Sequence, residues 1–226
     1  MYKFLKFLLA LILLPVIFFA LLETGHILLR VLGSFRAGWT FWLGATVYVT
    51  LHYTVYNFSR MYVFMHEVTH ALAALLCGGR VADISVRKNT GYVKMDKSNV
   101  FIALAPYFVP GYVLVTAFLY MTGDLFISVA PLRPVFLFLI GFFTAFHLIQ
   151  TFKTLSEARQ PDLKLAGGTV FSIVIIILAN LIVLALVLKG IFPGEVSLQQ
   201  AALRILKETL NVGRILVNYI GALLLR

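Results

Sequence analysis

The chain has 226 residues, of which 61% are hydrophobic and only 12% charged, against about 45–50% apolar and about a quarter charged in soluble domains. Its apolar residues collect in runs long enough to cross a bilayer, which needs roughly 20 residues; this excludes a soluble domain and predicts a multi-pass membrane protein. The net charge of +10, from 19 Lys and Arg against 9 Asp and Glu, lies mostly between those runs, where it orients the chain and meets anionic headgroups; no nucleic-acid partner is expected. The single cysteine, Cys77, excludes an intramolecular disulfide and a multi-cysteine metal site.

Six hydrophobic segments follow in order: Phe7–Leu29, Ala37–Phe58, Met61–Cys77, Val100–Met121, Val135–Phe152 and Leu165–Leu188. Helix is expected for each, because an unpaired backbone group in lipid costs several kcal/mol. Lys3 and Lys6 precede the first, but no small-x-small cleavage site follows it, so it reads as an uncleaved anchor. After the third, Gly78-Gly79-Arg80-Val81 leads into Ala82, Ile84 and Val86 alternating with Asp83, Ser85 and Arg87. That period of two, a turn at Asn89-Thr90-Gly91 and a return through Tyr92–Met95 predict a β-hairpin over residues 81–97 at the membrane boundary. Basic residues in this loop (Arg80, Arg87, Lys88, Lys94, Lys97) and after the fifth segment (Lys153, Arg159, Lys164) fall on one side, which the positive-inside rule makes cytoplasmic. Counting back leaves Lys3 and Lys6 outside, so one early segment is expected not to span fully. Beyond Pro193-Gly194, the residues Gln200, Arg204, Lys207, Asn211, Arg214 and Asn218 form a polar stripe opposite Leu198, Ala202, Ile205, Val212, Leu216, Ile220 and Leu224. This amphipathic helix suits either the membrane interface or packing against the bundle.

The expected organisation is thus an all-α membrane protein of about six transmembrane helices with a small β-hairpin. Residues 1–60 form an N-terminal transmembrane hairpin, 61–190 a core, and 195–226 the amphipathic helix. It is placed in the lipid bilayer of a bacterial-type cell membrane.

The third segment carries the chemistry. His66-Glu67-Val68-Thr69-His70 is an H-E-x-x-H motif, whose two histidines share a helix face and can reach one zinc ion, with the glutamate beside the site as general base. With 5 His and 5 Glu in the chain, a chance match has a probability of roughly 0.2%, so the pattern needs a cause. A charged residue at mid-bilayer costs roughly 2.5–3.5 kcal/mol on insertion scales, and a bound metal offsets such burial. The alternative is a metal-free polar cluster hydrogen-bonded to neighbouring helices. For a third ligand the candidates are Asp162, in Gln160-Pro161-Asp162-Leu163, and His147, within the fifth segment. Asp162 also suits a helix N-cap, and His147 a group supporting a ligand. Asp124 reads as a cap, and His26 and His52 as interfacial or hydrogen-bonded residues.

The His66-Glu67-x-x-His70-Ala71 run, followed by Gly78-Gly79-Arg80-Val81 and a hairpin, resembles the site-2 protease family of intramembrane zinc metalloproteases. The likeness is densest over Met61–Met95 and extends through Leu104-Ala105-Pro106-Tyr107 to Asp162. It implies zinc held by His66, His70 and Asp162, Glu67 as the catalytic base, and membrane-embedded protein or peptide substrates. Many members carry the aspartate in an Asn-Pro-x-x-x-x-Asp-Gly or Leu-Asp-Gly setting; here it is Gln160-Pro161-Asp162-Leu163, with Gly167-Gly168 a turn later. No stretch is long enough for a PDZ domain. Two other functions remain compatible with the residues: an inactive membrane scaffold or regulator retaining the metal site, and a transporter using intramembrane His and Glu as an ion path.

Overall fold

The computed structural model describes residues 2–56, 58–87, 90–156 and 160–224. It is mostly helical, with one two-stranded antiparallel sheet. Two compact units divide it, one made of Met1–Phe35 with Ile173–Arg226 and the other of Arg36–Ser172.

The second unit holds the H-E-x-x-H motif. Helix α1 (Tyr2–Gly33) precedes it; α2 (Phe35–Thr54) and α3 (Ser59–Leu76) then lead into strands β1 (Val81–Val86) and β2 (Gly91–Met95). Helix α3 stops where its sequence supplies Gly78. That residue takes a φ of 70°, and Gly78 N–H and Gly79 N–H donate to the carbonyls of Leu75 (2.9 Å) and Ala74 (2.8 Å). Both bonds of a Schellman cap are thus made, and a side chain at Gly78 would oppose the left-handed turn. The chain leaves directly into β1. Lys97 Nζ donates to the Gly78 carbonyl at 2.7 Å and Arg80 N–H to Asp96 Oδ1 at 2.7 Å, so the hairpin is fastened to the end of α3. Its register pairs Val81 with Met95, Ile84 with Val93 and Val86 with Gly91, with an irregularity between Val81 and Asp83. Of the expected turn, Asn89 lies outside the described residues, as do Lys88 and Arg159 of the basic loops.

The fourth apolar segment, expected as one helix, is two. Helix α4 (Val100–Phe108) and α5 (Gly111–Gly123) meet at a 73° bend. Val109, which precedes Pro110, is extended (φ −88°, ψ 109°), because the proline ring disfavours helix at the residue before it. Asn99 caps α4, its side chain accepting from Ile102 N–H at 2.8 Å. Helix α6 (Arg133–Ser156) crosses α2 at two glycines. A Cβ at Gly44 would strike the Phe138 carbonyl, and one at Gly141 the Phe41 carbonyl. Close backbone approach through small residues is a usual way for apolar helices to pack without a hydrophobic drive. The sixth segment is also divided. Helix α7 (Pro161–Ala166) is separated from α8 (Thr169–Ile191) by Gly167 and Gly168, at φ 130° and 118°.

In the first unit, α1 buries Ala10, Ile17, Ala20, Ile27 and Val31 along one stripe. Glu23, 5% exposed, pairs with Arg30 and with Arg204 of α9 (Leu198–Leu224), each at 3.1 Å. Ser34 donates to Glu195 at 2.6 Å.

Among the described residues, three stretches are long and apolar enough to cross a membrane: Lys3–Gly33, Ala130–Ser156 and Thr169–Ile191. The bent α4–α5 pair makes a fourth if counted as one span. Helices α2 and α3 are not in this set, where six spans were expected. At about 1.5 Å per residue, the shortest of the three still covers a core of roughly 30 Å.

The α2–α6 crossing gives a direct test. Gly141→Val should cost about 3 kcal/mol or more by overpacking against backbone, read as a lowered melting temperature of the purified protein in detergent. Gly190→Ala, where a Cβ meets nothing within 4 Å, should leave it unchanged.

Candidate metal centre

His66, Glu67 and His70 follow one another on α3, whose buried residues include Tyr62, Glu67, Thr69 and His70. The helix thus turns Glu67, Thr69 and His70 inward. His70 Nδ1 lies 2.8 Å from the carbonyl of Ile102. That carbonyl is available because of Pro106: the residue four positions on has no N–H to return to it. With Nδ1–H donating there, Nε2 is the ring nitrogen left with a lone pair, and its direction is fixed.

Asp162 stands at the second position of α7, whose N-cap residue is Gln160 with Pro161 next. It therefore does not cap the helix by its side chain. Its Oδ2 instead lies 3.6 Å from His66 Nε2 and 3.5 Å from His70 Nε2, and accepts the Tyr107 hydroxyl at 2.9 Å. Burial alone would raise this carboxyl; the two imidazoles and the Tyr107 hydroxyl outweigh it and hold the group well below the usual carboxylate range. Helix α7 is held in turn by Ser172, which donates to the Leu163 carbonyl at 3.0 Å, and by the left-handed glycines that let the chain turn before α8.

These three side chains fit a zinc ion. One donor atom from each of His66, His70 and Asp162 lies within 4.8 Å of the others. Four tetrahedral ligands at about 2.1 Å from zinc sit about 3.4 Å apart, close to the two nitrogen–oxygen separations above. Two neutral imidazoles and a carboxylate are a donor set that zinc sites use.

Glu67 is not in that group. It is 7% exposed and lies under the hairpin: a Cβ on Gly91 would come within 2.6 Å of its Cγ and Oε1. Strand β2 can pass this close only because residue 91 has no side chain. The site opens into a cavity of about 690 Å³, lined by His66, Glu67, His70 and Asp162, by Thr90–Val93 of the hairpin, and by Gln150, Lys153 and Thr154 of α6.

The structure does not bring the remaining candidates to this point. His147 is buried on α6 and borders a separate void of about 10 Å³, which His66 also lines. Asp124 accepts from Val129 N–H at 3.3 Å in its loop. His26 lies 3.6 Å from Glu23, and His52 pairs with the Tyr48 hydroxyl at 3.1 Å. Sequence reasoning gave Ile102, Tyr107 and Gly91 no role in the site. The available signals were a proline and a tyrosine side by side in an otherwise apolar run, and a glycine beginning a strand.

The model of the Peptidase M50B-like family matches residues 39–156, more than half of the chain. The protein belongs to this family, that of the site-2 proteases. The matched region takes in the H-E-x-x-H helix, the hairpin, Pro106 and Tyr107, and ends before Asp162. The aspartate's place in this family member therefore rests on geometry. No curated protein and no solved structure matches the chain.

Removing the hydroxyl that holds Asp162 should loosen the site without deleting a donor. Tyr107→Phe is expected to weaken zinc affinity about tenfold, and Pro106→Ala, which supplies a competing N–H to Ile102, by a comparable factor. Competition with a chromophoric chelator checks both. Unchanged affinity in both variants would remove α4 from the account.

Proposed function

We propose that this protein is an intramembrane zinc metalloprotease that hydrolyses peptide bonds of membrane-embedded proteins, with Glu67 as general base and His66, His70 and Asp162 as the zinc ligands. The observation that carries the reading is the convergence of both motif histidines on Asp162, beside a buried glutamate that stays outside the donor set. Membership in a protease family supports the reaction class.

When bound, zinc supplies Lewis-acid polarisation of the scissile carbonyl and an acidified water. The protein's own groups do the rest. Glu67, walled by Gly91, takes a proton from the attacking water and delivers it to the leaving amine. Ile102 and Tyr107 hold His70 and Asp162 in place. Strand β2 belongs to a two-stranded sheet and lines the cavity, so its open edge offers backbone partners to an unwound substrate strand. In this reading α2 and α3 also lie in the bilayer bundle. Glu67, Thr69 and His70, which lower the apolar average of α3, are buried, and compositions averaged over the whole helix conceal that.

A second reading, an inactive scaffold or regulator that keeps the metal site, is separated by one substitution. Glu67→Gln in the purified protein should leave zinc content intact while lowering cleavage of a reconstituted membrane substrate by at least about a hundredfold. Equal cleavage by wild type and variant would exclude Glu67 as base. His66→Ala should lose zinc and activity together.

A further inference from the structure

We propose that Lys153 is a substrate-binding residue that selects peptides presenting a carboxylate to the cavity; this rests on the protease reading above. The residue lies in the last turn of α6, where a lysine would ordinarily offset the helix dipole or reach headgroups. Both of those roles direct the ammonium away from the protein interior. Here the outward face of the turn is marked by Phe152, 75% exposed, while Lys153 is half-buried and lines the same cavity as His66, Glu67 and Asp162.

Among the described residues, the charges of that cavity are unbalanced in one place. Its described lining residues carry formal charge at Glu67, Asp162 and Lys153. The two carboxylates are accounted for by the metal site, whose divalent charge would offset both. No ion pair joins Lys153 to an acidic group among the described residues. A half-buried cation in the cavity wall, with no acidic partner among the described residues, favours an occupant that brings the opposite charge and repels a like-charged one. Gln150 and Thr154 lie three residues before and one after it on the same wall, and Gln160 Nε2 donates to the Thr154 carbonyl at 2.9 Å. The end of α6 thus lines the cavity with an amide, a hydroxyl and an ammonium side chain, a set suited to a carboxylate with its adjoining backbone. The carboxylate can be an acidic side chain near the scissile bond or the free end of a peptide already cut.

The test uses the full-length protein in detergent micelles and fluorogenic apolar peptides that differ only near the scissile bond, carrying Glu, Gln or Lys. A further Gln pair ends in a free carboxylate or an amide. Wild type should prefer the Glu peptide over the Gln peptide by about tenfold in kcat/KM, and the Lys peptide should be poorest. Preference for the free over the amidated end instead assigns the chain terminus as the partner. Lys153→Gln should flatten the series, and Lys153→Glu should invert it in favour of Lys. A defect of folding would lower all peptides together and could not invert their order. The same ranking under wild type and Lys153→Glu would overturn the proposal. Binding of the peptides to Glu67→Gln, read by fluorescence anisotropy, separates the two claims. A carboxylate preference there without cleavage by wild type sinks the protease reading alone, while cleavage without any charge preference sinks the role of Lys153 alone.

Discussion

A glutamate flanked by two histidines inside an apolar helix is costly to bury, and the second unit is arranged around relieving that cost. The three motif side chains on the inward face of α3 are met by different parts of the chain. A carbonyl of α4 receives His70. The carboxylate of α7 lies between both imidazoles. The bare backbone of β2 covers Glu67. The Schellman cap at Gly78 makes the last of these possible, since it ends α3 two turns beyond His70 and sends the chain straight back over the motif. Low local dielectric makes every one of these contacts count for more than it would at a surface, and makes each unpaired group correspondingly worse.

Helix α4 illustrates how one backbone feature serves two purposes. Pro106 removes a donor from the helix, and the carbonyl thereby released turns to His70 instead of remaining orphaned. The next residue, Tyr107, reaches Asp162. Two of the three candidate metal donors are therefore oriented from adjacent turns of one short helix, which the Pro110 bend keeps from continuing in the same direction. The arrangement gives the metal site rigidity from secondary structure, as second-layer partners commonly do.

Much of this was legible in the sequence, and the boundary of legibility has physical causes. The His66–His70 pair and Glu67 followed from helical spacing, and the hairpin from its period of two and the Gly-Gly before it. Asp162 emerged only as one of two candidates, because sequence spacing says nothing about which distant segment returns to a helix face. The division of the fourth and sixth segments was marked by Pro110 and by Gly167-Gly168. It was overridden in the reading by the continuous apolar character on either side, which hydropathy weighs and backbone geometry does not respect. Ile102 is harder to read, since the group that acts is its carbonyl, which every residue possesses; its one mark is Pro106 four positions on, which leaves that carbonyl without a helical donor. Gly91 was read as part of a turn; its second role, giving room to Glu67, depends on a contact across 24 positions of sequence.

The central claim is that His66, His70 and Asp162 share one zinc ion. X-ray absorption spectroscopy at the zinc edge on the purified full-length protein tests it most directly. The account predicts two imidazole nitrogens and oxygen donors at about 2.0–2.2 Å, with Asp162→Ala altering the oxygen shell and His147→Ala leaving the spectrum as it was. A first shell with three imidazoles, changed by His147→Ala and unaffected by Asp162→Ala, would contradict it.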